Sequence, residues 1–429
     1  MEKLTLVLLI GALIRFLLPT ILPSLPLNLS SSIEIATPLT SFKSLKEAFY
    51  YLQHNIDLYD GGVNHHPPLL VILLNLIDEY LPKRLGDIVF NGVYTGVDLM
   101  IASRLIHVNK WYNNHMSQRT GKSIQGFSDD MIAAFYLFNP LLILTNISHS
   151  TLCFTFLAIT ESLYQLVIDR NVARSVISMA IASYLSFRPI FLIIPLLGLA
   201  HSLDSDWQTV YAHGIALFSS ACGILVLTSS VMTESFQFLD LCYGIVIKFN
   251  KITPNLGLWW YIFTEMFDFF TPFYVGVFNL FSVIFVIPFT LRLFEFNHKS
   301  GKPTGDAFLA VVTSYLWLSF TKSYPSVGDL AFALSLIPIF KDTIIPHCKY
   351  HFLTALVLLV ALLLSPIFYY CWIVLGTGNS NFFYSINLVW GVVHGLILTD
   401  LVWAKLNYDY IELNDVPADE VSKLRLTQI

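Results

Sequence analysis

Apolar residues fall along this chain in runs long enough to cross a bilayer, separated by short breaks of polar residues, glycine and proline. The runs lie at about 4–23, 68–82, 87–107, 130–149, 151–168, 173–200, 209–231, 258–290, 307–321, 326–341, 350–375 and 383–404. A helix needs about 20 apolar residues to span hydrocarbon, so the pattern predicts about ten to twelve crossings. The run 258–290 is long enough for one tilted helix or two short ones. The expected fold class is an all-α polytopic membrane protein, with 1–405 as a single transmembrane domain.

One segment has a different period. Phe42, Leu45, Phe49 and Leu52 share a helical face, Lys43, Lys46 and Glu47 lie elsewhere, and Ser44 with Glu47 fits a capping box. This predicts an amphipathic helix over 41–56, lying on the membrane surface within the loop 24–66. It leads into Asp57-Leu58-Tyr59-Asp60-Gly61-Gly62-Val63-Asn64-His65-His66-Pro67-Pro68, where paired glycines and prolines fix a turn. Asp60, His65 and His66 there admit a headgroup or sugar contact, or a purely structural turn. Adjacent histidines on extended chain point apart, so no metal is expected.

Composition sharpens the class. Of 429 residues 55% are hydrophobic and 12% charged, with a mean hydropathy of +0.65. A single soluble core stops growing beyond roughly 250 to 300 residues and could not absorb so much apolar side chain. The net charge of −5 comes with no basic block, which argues against nucleic acid. The five cysteines are scattered without metal-ligand spacing and read as free thiols. No metal or cofactor is expected.

Charge also bears on topology. The first run, with Lys3 before it and Arg15 inside it, reads as an uncleaved signal-anchor with a cytosolic N-terminus, which makes 24–66 lumenal. Asn28-Leu29-Ser30 is then a candidate N-glycosylation sequon. The basic loop 107–129 is expected in the cytosol, in conflict with simple parity if 68–82 and 87–107 both cross. If 68–82 only dips into the bilayer or lies along its face, the conflict disappears; the pattern leaves the matter open. Residues 406–429 read as a polar, exposed, cytosolic tail.

An ionisable residue in an apolar span costs about 2.5 to 3.5 kcal/mol on insertion scales. Asp98, Glu161, Arg188, Glu265, Asp268, Lys322, Asp329 and Asp400 are such residues, and interhelical pairing or an interfacial position is the ordinary reason for any one of them. Clusters weigh more. In 253–268 a Pro–Asn–Leu–Gly loop enters a helix carrying Trp259, Trp260 and Tyr261, with Glu265 and Asp268 predicted one turn below on a shared face. Asn255, Trp259 and Trp260 are its candidate binding residues, and the acidic pair suits either acid–base chemistry or a hydrogen bond to a neighbouring helix. The stretches 321–329, with Lys322, Tyr324 and Asp329, and 376–384, with Asn379, Asn381, Phe382, Phe383 and Tyr384, break apolar runs with dense donors and acceptors. Irregular backbone at membrane depth is tolerated only where protein buries it or it lines a wet cavity. Amides beside aromatics suit hydroxyls, phosphate, a sugar face or acyl chains; a plain turn with a helix cap would look the same.

These stretches carry a resemblance. TPNLGLWWYIFTEMFDFF at 253–270, FTKSYPSVGDLAFALSLIPIF at 320–340 and GTGNSNFFYSINL at 376–388 resemble the PIG-U family, the multi-span subunit of the glycosylphosphatidylinositol (GPI) transamidase. YDGGVNHHPPLL at 59–70 and FNPLLIL at 138–144 fit in order and spacing. The resemblance implies a non-catalytic subunit of the endoplasmic reticulum membrane that holds the GPI lipid, with a fold like that of the polytopic (GT-C-like) GPI mannosyltransferases. It implies as partners a PIG-K-like catalytic subunit supplying the Cys and His, a Gaa-type subunit, and PIG-T-like and PIG-S-like subunits. A lipid-binding role carries over onto Asn379, Asn381 and their aromatics, then onto Lys322 to Asp329.

The rival is a dolichol-phosphate-mannose-dependent mannosyltransferase. Such enzymes carry an acidic pair early in the first lumenal loop; here that loop has Glu34 alone, and Asp57 and Asp60 come late. A transporter ranks third, because no inverted repeat or paired broken helices are evident.

Overall fold

The computed structural model describes residues 2–416 apart from 205, 207 and 298–300. The chain is helical almost throughout. Among the described residues the only strands are a two-residue antiparallel pair, with Phe296 opposite Thr304. Among the described residues six helices are long and apolar enough to cross a membrane: Glu2–Ile21, Lys83–Thr120, Thr209–Thr233, Thr271–Arg292, His351–Val374 and Ser380–Asn414. The pair Asp129–Leu137 and Pro140–Ile147, bent by 56°, forms a seventh if taken as one broken span. The remaining apolar runs are helices too short to cross alone, Leu152–Val167, Val172–Leu185, Arg188–Leu203, Ala307–Phe320 and Val327–Phe340.

Ala307–Phe320 and Val327–Phe340 form the interior, Lys83–Thr120 and Ser380–Asn414 are about half buried, and Glu2–Ile21, Thr209–Thr233, Thr271–Arg292 and His351–Val374 form the sheath. Ala307–Phe320 is apolar on every side and is buried from Ala307 to Ser319, as such a helix must be. The outer helices show the reverse. Leu6, Leu9, Ile224, Leu227, Leu356 and Leu363 are all exposed, a surface suited to lipid and not to water.

Several helix boundaries depart from the sequence pattern, each for a local reason. The basic stretch after His107 is no loop as far as Thr120. Nothing in Lys83–Thr120 breaks a helix, and the chain turns only at Gly121, whose φ of +68° is left-handed. The run 258–290 divides into Trp259–Glu265, Thr271–Ile284 and Val286–Arg292. Met266 is already extended, with ψ of 140°, so Glu265 and Asp268 do not share a helical face. Both are exposed.

The amphipathic helix runs Phe42–Gln53, but its cap is Ser41, whose side chain accepts from Lys43 N. Ser44 lies inside the first turn, donates to Ser41 O at 2.9 Å and sits 3.0 Å from His66 Nε2, so the Ser44–Glu47 capping box does not form. Its apolar face is occupied by protein, Phe42 meeting the rings of Phe90 and His149 edge-on. Beyond Lys405 the last helix continues to Asn414, with Lys405 and Asp409 buried as an ion pair of 2.8 Å, so this part is not an exposed tail. Residues 417–429 lie outside the described residues.

Most of the intramembrane charges are paired. Arg15 meets Asp98 at 2.5 Å and donates to Leu137 O at 2.7 Å, while Tyr136 donates to the other Asp98 oxygen at 3.0 Å. Arg104 pairs with Glu161 at 2.8 Å, Lys322 with Asp329 at 2.9 Å, and Asp400 accepts the backbone N–H groups of Lys349 and Tyr350. Arg188 has no such partner: its Nε, Nη1 and Nη2 are buried without a hydrogen bond.

Candidate functional site

The loop between Ala307–Phe320 and Val327–Leu336 is irregular backbone buried in protein. Lys322 bonds both carboxylate oxygens of Asp329, at 2.9 and 3.1 Å. Asp329 also accepts from Ser326 N at 2.9 Å, so the carboxylate closes a capping box on the helix it belongs to. Val327 N donates to Glu34 O at 2.8 Å and ties this turn to the first loop. The carboxylate of Glu34 accepts from Ser32 and Ser365, at 2.6 and 2.9 Å.

The 253–261 segment packs on that turn. Asn255 is buried; its side chain accepts from Gly257 N at 2.7 Å and its backbone oxygen accepts from Asn387 Nδ2 at 2.7 Å. Tyr324 donates to Lys251 O at 2.7 Å and packs on Phe249. Trp259 faces this interior, against Phe249 and Phe278. Trp260 turns the other way, stacking on Trp372 at 5.7 Å and contacting Phe383 and Tyr384.

The loop before the last helix completes the layer. Gly376 takes a φ of +64°, and Asn379 caps the helix by accepting from Asn381 N and Phe382 N. Tyr261 stacks on Tyr384 with ring centroids 4.2 Å apart, and the Tyr261 hydroxyl donates to Asn381 Oδ1. Phe383 is buried and Asn379, Asn381 and Phe382 are exposed. Tyr261 and Tyr384 thus form a shelf, and they line an open cleft with Glu265, Phe267, Phe270 and Tyr274. The cleft offers rings and an exposed carboxylate, with the Asn381 amide bonded to the Tyr261 hydroxyl on its wall.

The histidine turn is not part of that shelf. His65 donates from Nδ1 to Leu241 O at 2.8 Å and accepts from Lys251 Nζ at 3.0 Å. Burial and the Lys251 ammonium lower its pKa to about 4. His66 donates from Nε2 to Ser41 O at 3.1 Å, and burial lowers its pKa to about 4 as well. Both rings are neutral struts that point apart. Asp60 and Asn28 are exposed. Among the described residues no three His, Cys, Asp or Glu side chains form a metal-sized group.

The fold therefore brings Asn255, Trp259, Trp260, Lys322, Tyr324, Asp329, Asn379, Asn381 and Tyr384 into one continuous layer. It adds Tyr261, visible in the sequence as the third of an aromatic triplet, Arg188, visible as a charge inside an apolar run, and Lys251 and Trp372, which carry no pattern of their own. Fold and site define a polytopic helical membrane protein whose polar groups gather where several helix breaks meet. Comparison with known proteins takes this further: the family "GPI transamidase subunit PIG-U" matches residues 9–390, and the chain belongs to it. It is 39% identical over 417 residues to the GPI transamidase component GAB1 of Saccharomyces cerevisiae, covering 97% of this chain and 96% of that protein. The GAB1 homolog of Schizosaccharomyces pombe is 30% identical over 380 residues, 88% of each chain. The GPI-anchor transamidase component PIGU of Homo sapiens is 27% identical over 410 residues, 89% of each.

Proposed function

We propose that this chain is the multi-pass subunit of a GPI transamidase in the endoplasmic reticulum membrane, and that it binds and positions the GPI lipid. Cleavage and transfer belong to a PIG-K-like partner, with Gaa-type, PIG-T-like and PIG-S-like subunits completing the complex. The observation that carries the lipid assignment is the open cleft on which Tyr261 and Tyr384 stack beside Asn381. Stacked rings accept acyl chain or a sugar face, and the Asn381 amide N–H groups suit a hydroxyl or phosphate oxygen. Holding the lipid there makes attack of its amine on a partner-bound acyl group effectively intramolecular, a large entropic gain.

The catalytic alternative, mannosyl transfer, would have to draw on Asp60, an exposed acid late in the loop. Glu34 is held by two serines, and Asp57 accepts from Tyr59 N at 2.9 Å as a turn residue.

Asn381→Ala combined with Asn379→Ser removes both amides while serine keeps the helix cap. GPI co-purifying with the intact complex should fall about tenfold, the equivalent of one charge-assisted hydrogen bond. Unchanged lipid occupancy in an undissociated complex would sink the assignment.

A further inference from the structure

Arg188 stands at the start of the turn Arg188–Leu192, which follows directly on the helix Val172–Leu185. It is 4% exposed, and all three guanidinium nitrogens lack a hydrogen-bond partner. Its one marked contact is with the ring of Trp259, whose centroid is 5.6 Å from Cζ. A guanidinium stays protonated in proteins, and burying it unpaired is costly enough that a counter-charge is expected. The neighbouring acid is taken, since Asp329 is held by both Lys322 and Ser326.

Two cavities meet at this side chain and share Ser186, Arg188 and Lys322 as walls. Ser323 lines the first and Ser319 the second, and the hydroxyl of each is buried without a partner. The charged groups on these walls are Arg188, Lys322 and Asp329, which leaves one positive charge uncompensated. His65, on the rim of the first cavity, is neutral.

We propose that Arg188, with Ser319 and Ser323, forms an internal phosphate site that takes the phosphodiester of a membrane phospholipid. The guanidinium fork fits two oxygens of a phosphate, and hydroxyls on separate walls suit a tetrahedral anion better than a planar carboxylate. A phosphodiester carries the single negative charge that the walls lack. Inorganic phosphate offers the same oxygens and is the other possible source. The site lies on the interior side of Trp259, whereas the GPI shelf is built on Tyr261 and Tyr384, so this inference stands without the shelf.

The test uses the complex purified in mild detergent. Native mass spectrometry, which tells GPI from other phospholipids by mass, counts the non-GPI phospholipid on wild type, Arg188→Met, Ser323→Ala and the shelf variant Asn381→Ala. Wild type and Asn381→Ala should retain one tightly held phospholipid, with occupancy falling about tenfold or more in Arg188→Met and less in Ser323→Ala. Stripping lipid should lower the melting temperature of wild type but not of Arg188→Met, whose core no longer holds an unpaired cation. If no phospholipid is retained, but inorganic phosphate raises the melting temperature of wild type and not of Arg188→Met, the site stands and its anion is soluble phosphate. Wild-type lipid retention and phosphate response in both Arg188→Met and Ser323→Ala would overturn it.

Discussion

His65 and His66 show how much a residue's meaning depends on what surrounds it. In the sequence they are two adjacent titratable groups at a water–lipid boundary. In the structure each ring donates to a backbone carbonyl, and burial holds both pKa values near 4. An unfolded imidazole titrates near its ordinary value of 6.5. Below that pH the unfolded chain takes up protons that the folded one refuses, so stability is full above pH 6.5 and falls as pH drops towards 4. The melting temperature should therefore decline between pH 7 and pH 5, and His66→Gln should flatten the decline in part, since burial lowers the pKa values of His65 and His149 as well. A slope unchanged in His66→Gln would show that this ring does not carry it.

At the scale of elements, most boundaries follow from local chemistry. Asn379 was legible as a binding amide or as a cap, and its carbonyl oxygen serves as the cap of Ser380–Asn414. Asn379→Ala should lower stability by about 1 kcal/mol and Asn379→Ser by much less, read from thermal unfolding. Equal losses would mean the cap contributes nothing. Other boundaries were hidden. The amphipathic period of 42–52 identified the helix but not what covers it, because rings of Phe90 and His149 present the same apolar surface that lipid would. The break at Met266 has no proline or glycine of its own; Pro272 six residues on starts a new helix, and the chain between must unwind to redirect it.

Over the whole molecule, buried charge pairs pin distant segments together. Arg15 and Asp98 join the first helix to the long Lys83–Thr120 helix, and Tyr136 and Leu137 close the group. Asp98→Asn leaves Arg15 charged and buried, and should cost about 3 to 5 kcal/mol, whereas Arg15→Met with Asp98→Leu should lose less, about 1 to 3 kcal/mol for the Tyr136 hydroxyl left without its acceptor. Thermal unfolding of the two variants decides the point, and a double variant as unstable as the single one would refute it.

The sequence by itself determined the solvent and the class. Apolar runs of this length and a charge content this low admit only a lipid environment, because that depends on composition along a segment and not on neighbours. It also determined some of the places where the chain breaks, since glycine, proline and capping amides act within a few residues, but not the break at Met266. The motifs at 253–270, 320–340 and 376–388 were enough to place the chain in its family. Only the tertiary structure decided which polar residues are structural and which stand free. Lys322 and Asp329 satisfy each other, Asn255 is consumed by backbone, and Tyr261 joins Asn381 across 120 positions of chain. Arg188 and Arg15 look alike in sequence, each a lone arginine in an apolar run, yet one finds a carboxylate and the other does not. Pairing is a property of long-range contact, and no local pattern encodes it.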